Sequence, residues 1–502
     1  MKKIIYSLFL FLVFSCSLDK MPTGTVVVDG GIKSVEESKY LRNYINVLIR
    51  TIYSGSAIYD NELMSDLFNQ TINYDNRGGS TYRMEWSAAE SETADYWASC
   101  YVMNDHANYC NSVIAALSNN QELTDSDRLF LKHFRGESAF LKAVAMFELA
   151  QRYCALYDEK TANDEYGVIL TDIHNPTSNY KTYKPRATLL ETYNDIIKNL
   201  NMADTLLADV KGTEASIYIT KDVVTAFYAR VAVAMGNYKL AAEKSSSLIE
   251  SGTYPLIDNI DSFKELWHND SGKECIMQSY ASLEQESLPS SLSFGYSTHD
   301  ELGNYKPDYI PQRWVIDLYK ASDLRFKIWF EQHNLVYGAI KNDAVILNKF
   351  PGNRSLQSNK ASSDYVHKVK PFRIAEQYLI AAEAYSMINQ DAKAVEYLNT
   401  LKSKRDPDAI LINYSGMILK DEIKKERVRE LVGEGFRFLD IKRYKEGFSR
   451  KSPQASNIVY DPTNTSSALL SVKAGDYRFL WPIPQSEIDA NPYIKSQQNK
   501  GY

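Results

Sequence analysis

Glu426-Arg427-Val428-Arg429-Glu430-Leu431-Val432-Gly433-Glu434-Gly435-Phe436-Arg437-Phe438-Leu439-Asp440-Ile441-Lys442-Arg443 belongs to the densest run of mixed charge in the chain. Glu426, Glu430 and Glu434 are spaced four apart, which places them on one face of a helix, and Arg427, Arg437 and Arg443 reach neighbours from adjacent positions. An acid/base array is one reading of such a run. The reading adopted is structural: an ion-pair network that locks the end of a helical frame. Arg373 and Glu376, one helical turn apart further upstream, are read in the same way.

Moving outward, helical spacing dominates. Tyr96, Trp97, Tyr101, Asn104, Asn108, Val113, Ile114 and Leu117 predict a helix over about Asp95 to Leu117. A second is predicted from near Ser126, as its N-cap, to about Tyr157, and a third from Thr188 to Asp209, after Pro185. Two later windows resemble each other: Ala229, Ala232, Gly236, Tyr238, Ala241 and Leu248, then Ala382, Tyr385, Asn389, Ala394, Leu398 and Leu401. These are the offsets of tetratricopeptide helical hairpins. Small residues let antiparallel helices approach, and Gly or Asn permits the tight turn. Between the windows, from about Tyr254 to Lys370, Gly, Ser, Asn and Pro interrupt every apolar run, as in Ser287-Leu288-Pro289-Ser290-Ser291. This stretch reads as a loop-rich insertion with minor β, such as Glu274 to Tyr280, and loops of this kind carry binding residues. The expected fold is therefore mainly α: helical hairpins forming a frame, with irregular loops over one side.

Composition narrows the function. The chain has 502 residues, 44% hydrophobic and 24% charged, with a formal charge of −6. It is too apolar for a disordered chain, and the absence of a long basic run argues against nucleic acid as a partner. Tyrosine is abundant, 36 residues beside 19 Phe and 6 Trp, and its flat face with a polar tip suits packed helices and wet binding surfaces alike. The seven histidines show no short-range pair for zinc, and neither a phosphate loop nor a G-x-S-x-G elbow occurs, so no metal or cofactor is implied. Two opposed carboxylates would suffice for a glycosidase; with 63 acidic residues that reading gains no support. Cys100 and Cys110 fall about 15 Å apart along one predicted helix, too far for a disulfide. With Cys154 and Cys275 they read as small buried hydrophobes.

The N-terminus is an address. Lys2-Lys3, the mostly apolar run Ile4 to Phe14 and then Ser15-Cys16 describe a secretory signal, residues 1–15, too short to span a bilayer. Val13-Phe14-Ser15-Cys16 resembles a bacterial lipobox, which makes Cys16 the lipidated (palmitate-type) first residue of the mature chain, although Phe14 is bulkier than the pattern usually has. Two or three acyl chains hold such a protein stably on a membrane.

The run from Glu426 to Arg443 resembles the E-R-x-x-E-L-x-x-E-G-x-R-x-x-D-x-x-R signature of SusD/RagB-like outer-membrane nutrient-binding lipoproteins, matched at Glu426, Arg427, Glu430, Leu431, Glu434, Gly435, Arg437, Asp440 and Arg443. Arg373, Ala375, Glu376, Leu379, Ala382, Glu383 and Ala384 are similar to the family's R-x-A-E-x-x-L-x-x-A-E-A helix. Pro482-Ile483-Pro484 and the terminal Gln498-Asn499-Lys500-Gly501-Tyr502 also resemble it, with Lys500 in place of a proline. Upstream, Phe140-Leu141-Lys142-Ala143, Tyr166-Gly167 and Gly236-Asn237-Tyr238 agree, with Lys142 where the family usually has Arg. The resemblance implies a signal peptide at 1–15 and a SusD-like body from 16 to 502. Within the body it implies an N-terminal part to about 253, the insertion from about 254 to 370 and a signature part from about 371.

The resemblance further implies a lipid-anchored protein of the cell outer membrane, facing the extracellular side, that captures oligosaccharide, or in some branches peptide, for a SusC-like TonB-dependent transporter. It implies no catalytic residues. Family signatures do not mark the ligand site, so candidates come from physics: a sugar's apolar face stacks on aromatic rings while its hydroxyls need planar amides, carboxylates or Arg. Tyr82, Arg83 and Trp86 form one candidate group; Tyr296, Tyr305, Tyr309, Arg313 and Trp314 form the other.

Overall fold

Side-chain oxygens at the starts of the helices decide much of the frame. Ser34 with Glu37, Thr124 with Asp127 and Thr188 with Glu191 each form a reciprocal capping box, satisfying amides that a helix start leaves bare. The computed structural model describes residues 31–177, 179–283, 295–300, 303–357, 366–450, 453–459 and 471–502. The signal segment 1–15, Cys16 and the Ser287–Ser291 stretch lie outside the described residues. Among these, nine helices have thirteen or more residues: α1 Val35–Ile52, α2 Ser91–Ser118, α3 Asp125–Tyr153, α4 Leu189–Leu206, α5 Lys221–Ala234, α6 Tyr238–Glu250, α7 Ile374–Met387, α8 Asp391–Arg405 and α9 Gly416–Leu431. None is long and apolar enough to cross a membrane.

The three helices expected from apolar spacing are present as α2, α3 and α4, with shifted ends. The first starts at Ser91 rather than near Asp95. The second is capped by Thr124, not Ser126, and stops at Tyr153 rather than Tyr157, because Cys154 turns extended and the Arg186 guanidinium takes the Tyr153 carbonyl (3.0 Å). The third ends at Leu206, short of Asp209. Cys100, Cys110, Cys154 and Cys275 are all free and buried.

Both expected hairpins form. α5 and α6 are joined through Gly236 at φ +69°, and α7 and α8 through Asn389 at φ +59°, a left-handed conformation that Gly and Asn tolerate best. Ala229, Ala232, Ala241 and Ala242 pack against Ile380 and Ala384, so the second hairpin stacks directly on the first. Ala382, Ala394 and Leu398 then meet Leu419 and Ile423 of α9.

Among the described residues, eight short strands form four two-stranded antiparallel sheets: β1 Phe68–Gln70 with β3 Tyr309–Pro311, β2 Cys275–Met277 with β6 Phe372–Arg373, β4 Phe330–Tyr337 with β5 Ile340–Leu347, and β7 Phe448–Ser449 with β8 Ser471–Val472. The insertion is more ordered than a loop-rich reading implies. The expected strand near Glu274–Tyr280 is β2, and a hairpin of two eight-residue strands, β4–β5, closes on Gly338 at φ +64°.

Candidate functional site

The β1–β3 ladder pairs Phe68 with Pro311, Asn69 with Ile310 and Gln70 with Tyr309. That register joins the two candidate segments, far apart in sequence, on one side of the frame. Behind it the rings pack on each other. Tyr309 lies 5.5 Å from Tyr82 and 6.0 Å from Tyr59, and Tyr296 stacks on Phe68 at 4.5 Å. The Arg450 guanidinium sits 3.9 Å from the Tyr82 centroid and donates to the carbonyls of Leu63, Ser65 and Tyr82. Tyr82, Tyr296 and Tyr309 are buried there, and burial pushes each phenol's pKa up. Trp86 is also buried, against Trp481 at 5.0 Å. These four rings therefore face neighbouring side chains.

The other candidates lie closer to water. Tyr305 is half-buried, stacked on His333 at 3.8 Å and flanked by His299 at 5.1 Å. Arg313 is exposed and donates to the Gln454 carbonyl (3.3 Å). Trp314 is half-buried; its Nε1 donates to the Asp66 carbonyl (3.1 Å), and the Arg437 guanidinium lies 5.7 Å from its ring. Arg83 donates to Glu85 (2.7 Å) and to Asn76 Oδ1 (2.9 Å).

The sequence reading passed over a second polar group on this side. Arg77 grips Asp308 through Nε (2.7 Å) and Nη2 (2.5 Å), and Asn73 donates to the Lys306 carbonyl (2.9 Å) and to Asp308 (3.3 Å). The Asp308 hydrogen bonds raise the Arg77 pKa above its ordinary value. Asp308 is sealed at 3% side-chain exposure while Arg77 is 43% exposed, so the guanidinium presents an edge outward. A signal was available in Asp75-Asn76-Arg77-Gly78-Gly79: Asp75, Asn76 and Gly78 all have positive φ, and a Cβ on Gly78 would meet Leu63 at 2.8 Å. Such a turn presents the side chains around it in a fixed arrangement.

Behind this side runs the signature network. Glu430 accepts from Arg373 (2.9 Å), Arg405 (3.0 and 3.1 Å) and Arg325 (3.1 Å). Burial alone would raise its carboxyl; Arg405, Arg373 and Arg325 overcome that and hold it well below the usual carboxylate range. Glu426 takes Arg325 (2.7 Å) and Arg429 (2.5 Å). Arg427 and Arg443 both hold Asp440, and Arg437 holds Asp66 bidentately at 2.8 and 2.9 Å. One expectation needs correcting: Glu434 is not on the helix, because α9 ends at Leu431 and Gly433 and Gly435 follow at φ +79° and +83°. Its carboxylate still meets Lys349 (2.7 Å) and Arg373. Arg373 and Glu376 do not pair with each other; Glu376 takes Arg230 at 2.7 and 2.8 Å.

Two family models match the chain: one described as "Starch-binding associating with outer membrane" over residues 18–233, the other as the SusD family over 333–502. A SusD-like protein of Formosa agariphila is 23% identical over 359 residues, 64% of this chain and 66% of that protein. Solved structures share the fold. A putative sugar binding protein from Bacteroides vulgatus has a TM-score of 0.77 at 21% identity, covering 94% of this chain and 99% of that one. A SusD superfamily protein from Bacteroides thetaiotaomicron scores 0.77 at 23% identity over 93% and 100%. Surface glycan-binding protein A from Bacteroides fluxus scores 0.71 at 20% identity over 93% and 99%.

Proposed function

The chain belongs to the SusD/RagB-like family, and from that premise we propose that it is a cell-surface lipoprotein, anchored through Cys16, that captures an oligosaccharide and hands it to a SusC-like TonB-dependent transporter. The observation that carries the ligand assignment is the β1–β3 side of the frame. There Arg77, with a guanidinium edge toward solvent, shares Asp308 with the amide of Asn73, and the segments flanking β3 carry the half-buried rings of Tyr305 and Trp314. Planar donors fixed by their own hydrogen bonds suit sugar hydroxyls, and an exposed ring suits the C–H face. By analogy with aromatic pairs, a stack contributes about 0.5–1.5 kcal/mol. One or two stacks with a few hydrogen bonds, less the ordering cost, give weak capture, as suits a protein that must release its ligand to a partner.

In this reading the protein binds and performs no chemistry. The acidic residues of the signature are held by guanidinium or ammonium groups, an arrangement suited to structure rather than proton transfer. Calorimetry of the chain lacking residues 1–16 against panels of oligosaccharides and peptides tests it. Saturable binding of an oligosaccharide, weakened by substituting Arg77 and Trp314, is the expected result. Binding of peptides alone, or turnover of any glycan by the pure protein, would sink the proposal.

A further inference from the structure

The signature residues also wall a cavity of about 110 Å³ at the meeting of α1, α3, α5, α7 and the segment after α9. At about 30 Å³ per water molecule, that is room for three or four waters or one small solute. Its lining combines apolar Ile52, Ile58, Phe147, Val233 and Leu439 with five cationic groups and four carboxylates.

Each of those carboxylates is already engaged. Glu148 accepts from Tyr53, Tyr96 and Arg152; Glu376 from Arg230; Glu434 from Arg373 and Lys349; Asp440 from Arg427 and Arg443. The guanidiniums are not equally served. Arg427, 5% exposed, spends Nε and Nη2 on Asp440, and among the described residues its Nη1 has no partner. Arg152, 2% exposed, donates from Nη1 to Glu148 and from Nη2 to the Ala57 carbonyl, while its Nε has none. Both side chains line the cavity. Charged N–H groups buried without an acceptor are costly, so an occupant that supplies acceptors is favoured.

We propose that this cavity is a binding site for a short-chain carboxylate, its oxygens taking the Arg427 Nη1 and Arg152 Nε protons and its carbon tail lying on the apolar lining. Asn61 Oδ1, the one unpartnered acceptor among the described lining atoms, takes a bridging water. A carboxylate fits better than a halide because the lining also carries hydrocarbon, which a carbon tail covers and a halide does not. The site is separate from the β1–β3 side and does not depend on oligosaccharide capture.

The test uses the chain from residue 17 onward with propionate as probe and chloride as control. Calorimetry should show saturable propionate binding, and Val233→Phe, which fills the cavity and leaves every charge in place, should weaken it at least tenfold. Because that variant can misfold, wild-type crystals grown with 3-bromopropionate supply a second readout: the bromine anomalous peak is expected between Val233 and Phe147. Water alone in that cavity, chloride binding as tight as propionate, or unchanged affinity in folded Val233→Phe would each overturn the proposal.

Discussion

Glu430 and Asp308 are both carboxylates sealed from water and gripped by guanidinium, yet their cationic partners meet water very differently. Glu430 and its partners Arg325, Arg373 and Arg405 are all at most 2% exposed, so every group depends on the others. Asp308 is as buried, but its partner Arg77 is 43% exposed and keeps an edge toward solvent. The first arrangement fixes the meeting of helix and insertion. The second fixes a donor where a ligand can reach it. Ion pairing alone does not distinguish the two regions; the exposure of the cationic partner does.

Removing Glu430 is the severest way to probe the difference. Glu430→Ala leaves three buried guanidiniums short of their shared acceptor, and breaking a buried pair from one side costs about 3–5 kcal/mol. Against a total stability of about 5–15 kcal/mol, the variant should unfold at markedly lower urea or be recovered unfolded. A midpoint unchanged from wild type would show that the network is dispensable.

The same interior holds a carboxyl with no such compensation. Glu62 accepts from the Gly435 amide (2.5 Å), but burial dominates and pushes its pKa up to about 8. The native chain therefore keeps this proton between about pH 4.5 and 8 while the unfolded chain releases it, so stability is greatest below that window and is lost as pH rises through it. Glu62→Gln removes the loss, and its advantage over wild type should grow with pH across the window to a few kcal/mol at most. Lys442, pushed down to about 7 by burial, adds the opposite slope above neutrality in both proteins and cancels in the difference. Parallel stability profiles for the two proteins from pH 5 to 8 would show that Glu62 is charged throughout.

The interior was the more legible region because its rules are local. Small residues at Ala229, Ala232, Ala382 and Ala394, with Gly236 and Asn389 at the turns, specify hairpins within a few dozen residues. The four-residue spacing of Glu426 and Glu430 likewise announces one helix face. Glu434 escaped that rule because Gly433 breaks the helix before it. The β4–β5 hairpin was hidden for a different reason: Glu331, His333, Asn334 and Asp343 put polar groups among its apolar ones, blurring the alternation that marks a half-buried strand. On the candidate side, tyrosine gives no sign of which way it faces. Tyr82, Tyr296 and Tyr309 are in the segments that sequence singled out, yet only the long-range pairing of β1 with β3 decides that their rings pack inward. Arg77 and Asp308 meet through the same pairing; the turn around Arg77 leaves a local mark, and Asp308 carries none.

The mildest substitution separates the regions most sharply. Arg77→Ala removes a half-exposed guanidinium but leaves the sealed Asp308 carboxylate without its cation, so the cost should exceed the about 0–1 kcal/mol of an exposed pair and stay below the about 3–5 kcal/mol expected of Glu430→Ala, with a modest fall in the urea midpoint. Asp308 loses its principal partner but keeps Asn73, which donates to it at 3.3 Å. If the β1–β3 side holds the ligand, oligosaccharide affinity should nevertheless fall several-fold, since a charged donor to a hydroxyl contributes about 1.5–3 kcal/mol when desolvated and less at an open surface. Stability lost with affinity kept would instead make Arg77 a lesser version of the Glu430 network, and the contrast between the two carboxylates would be one of degree.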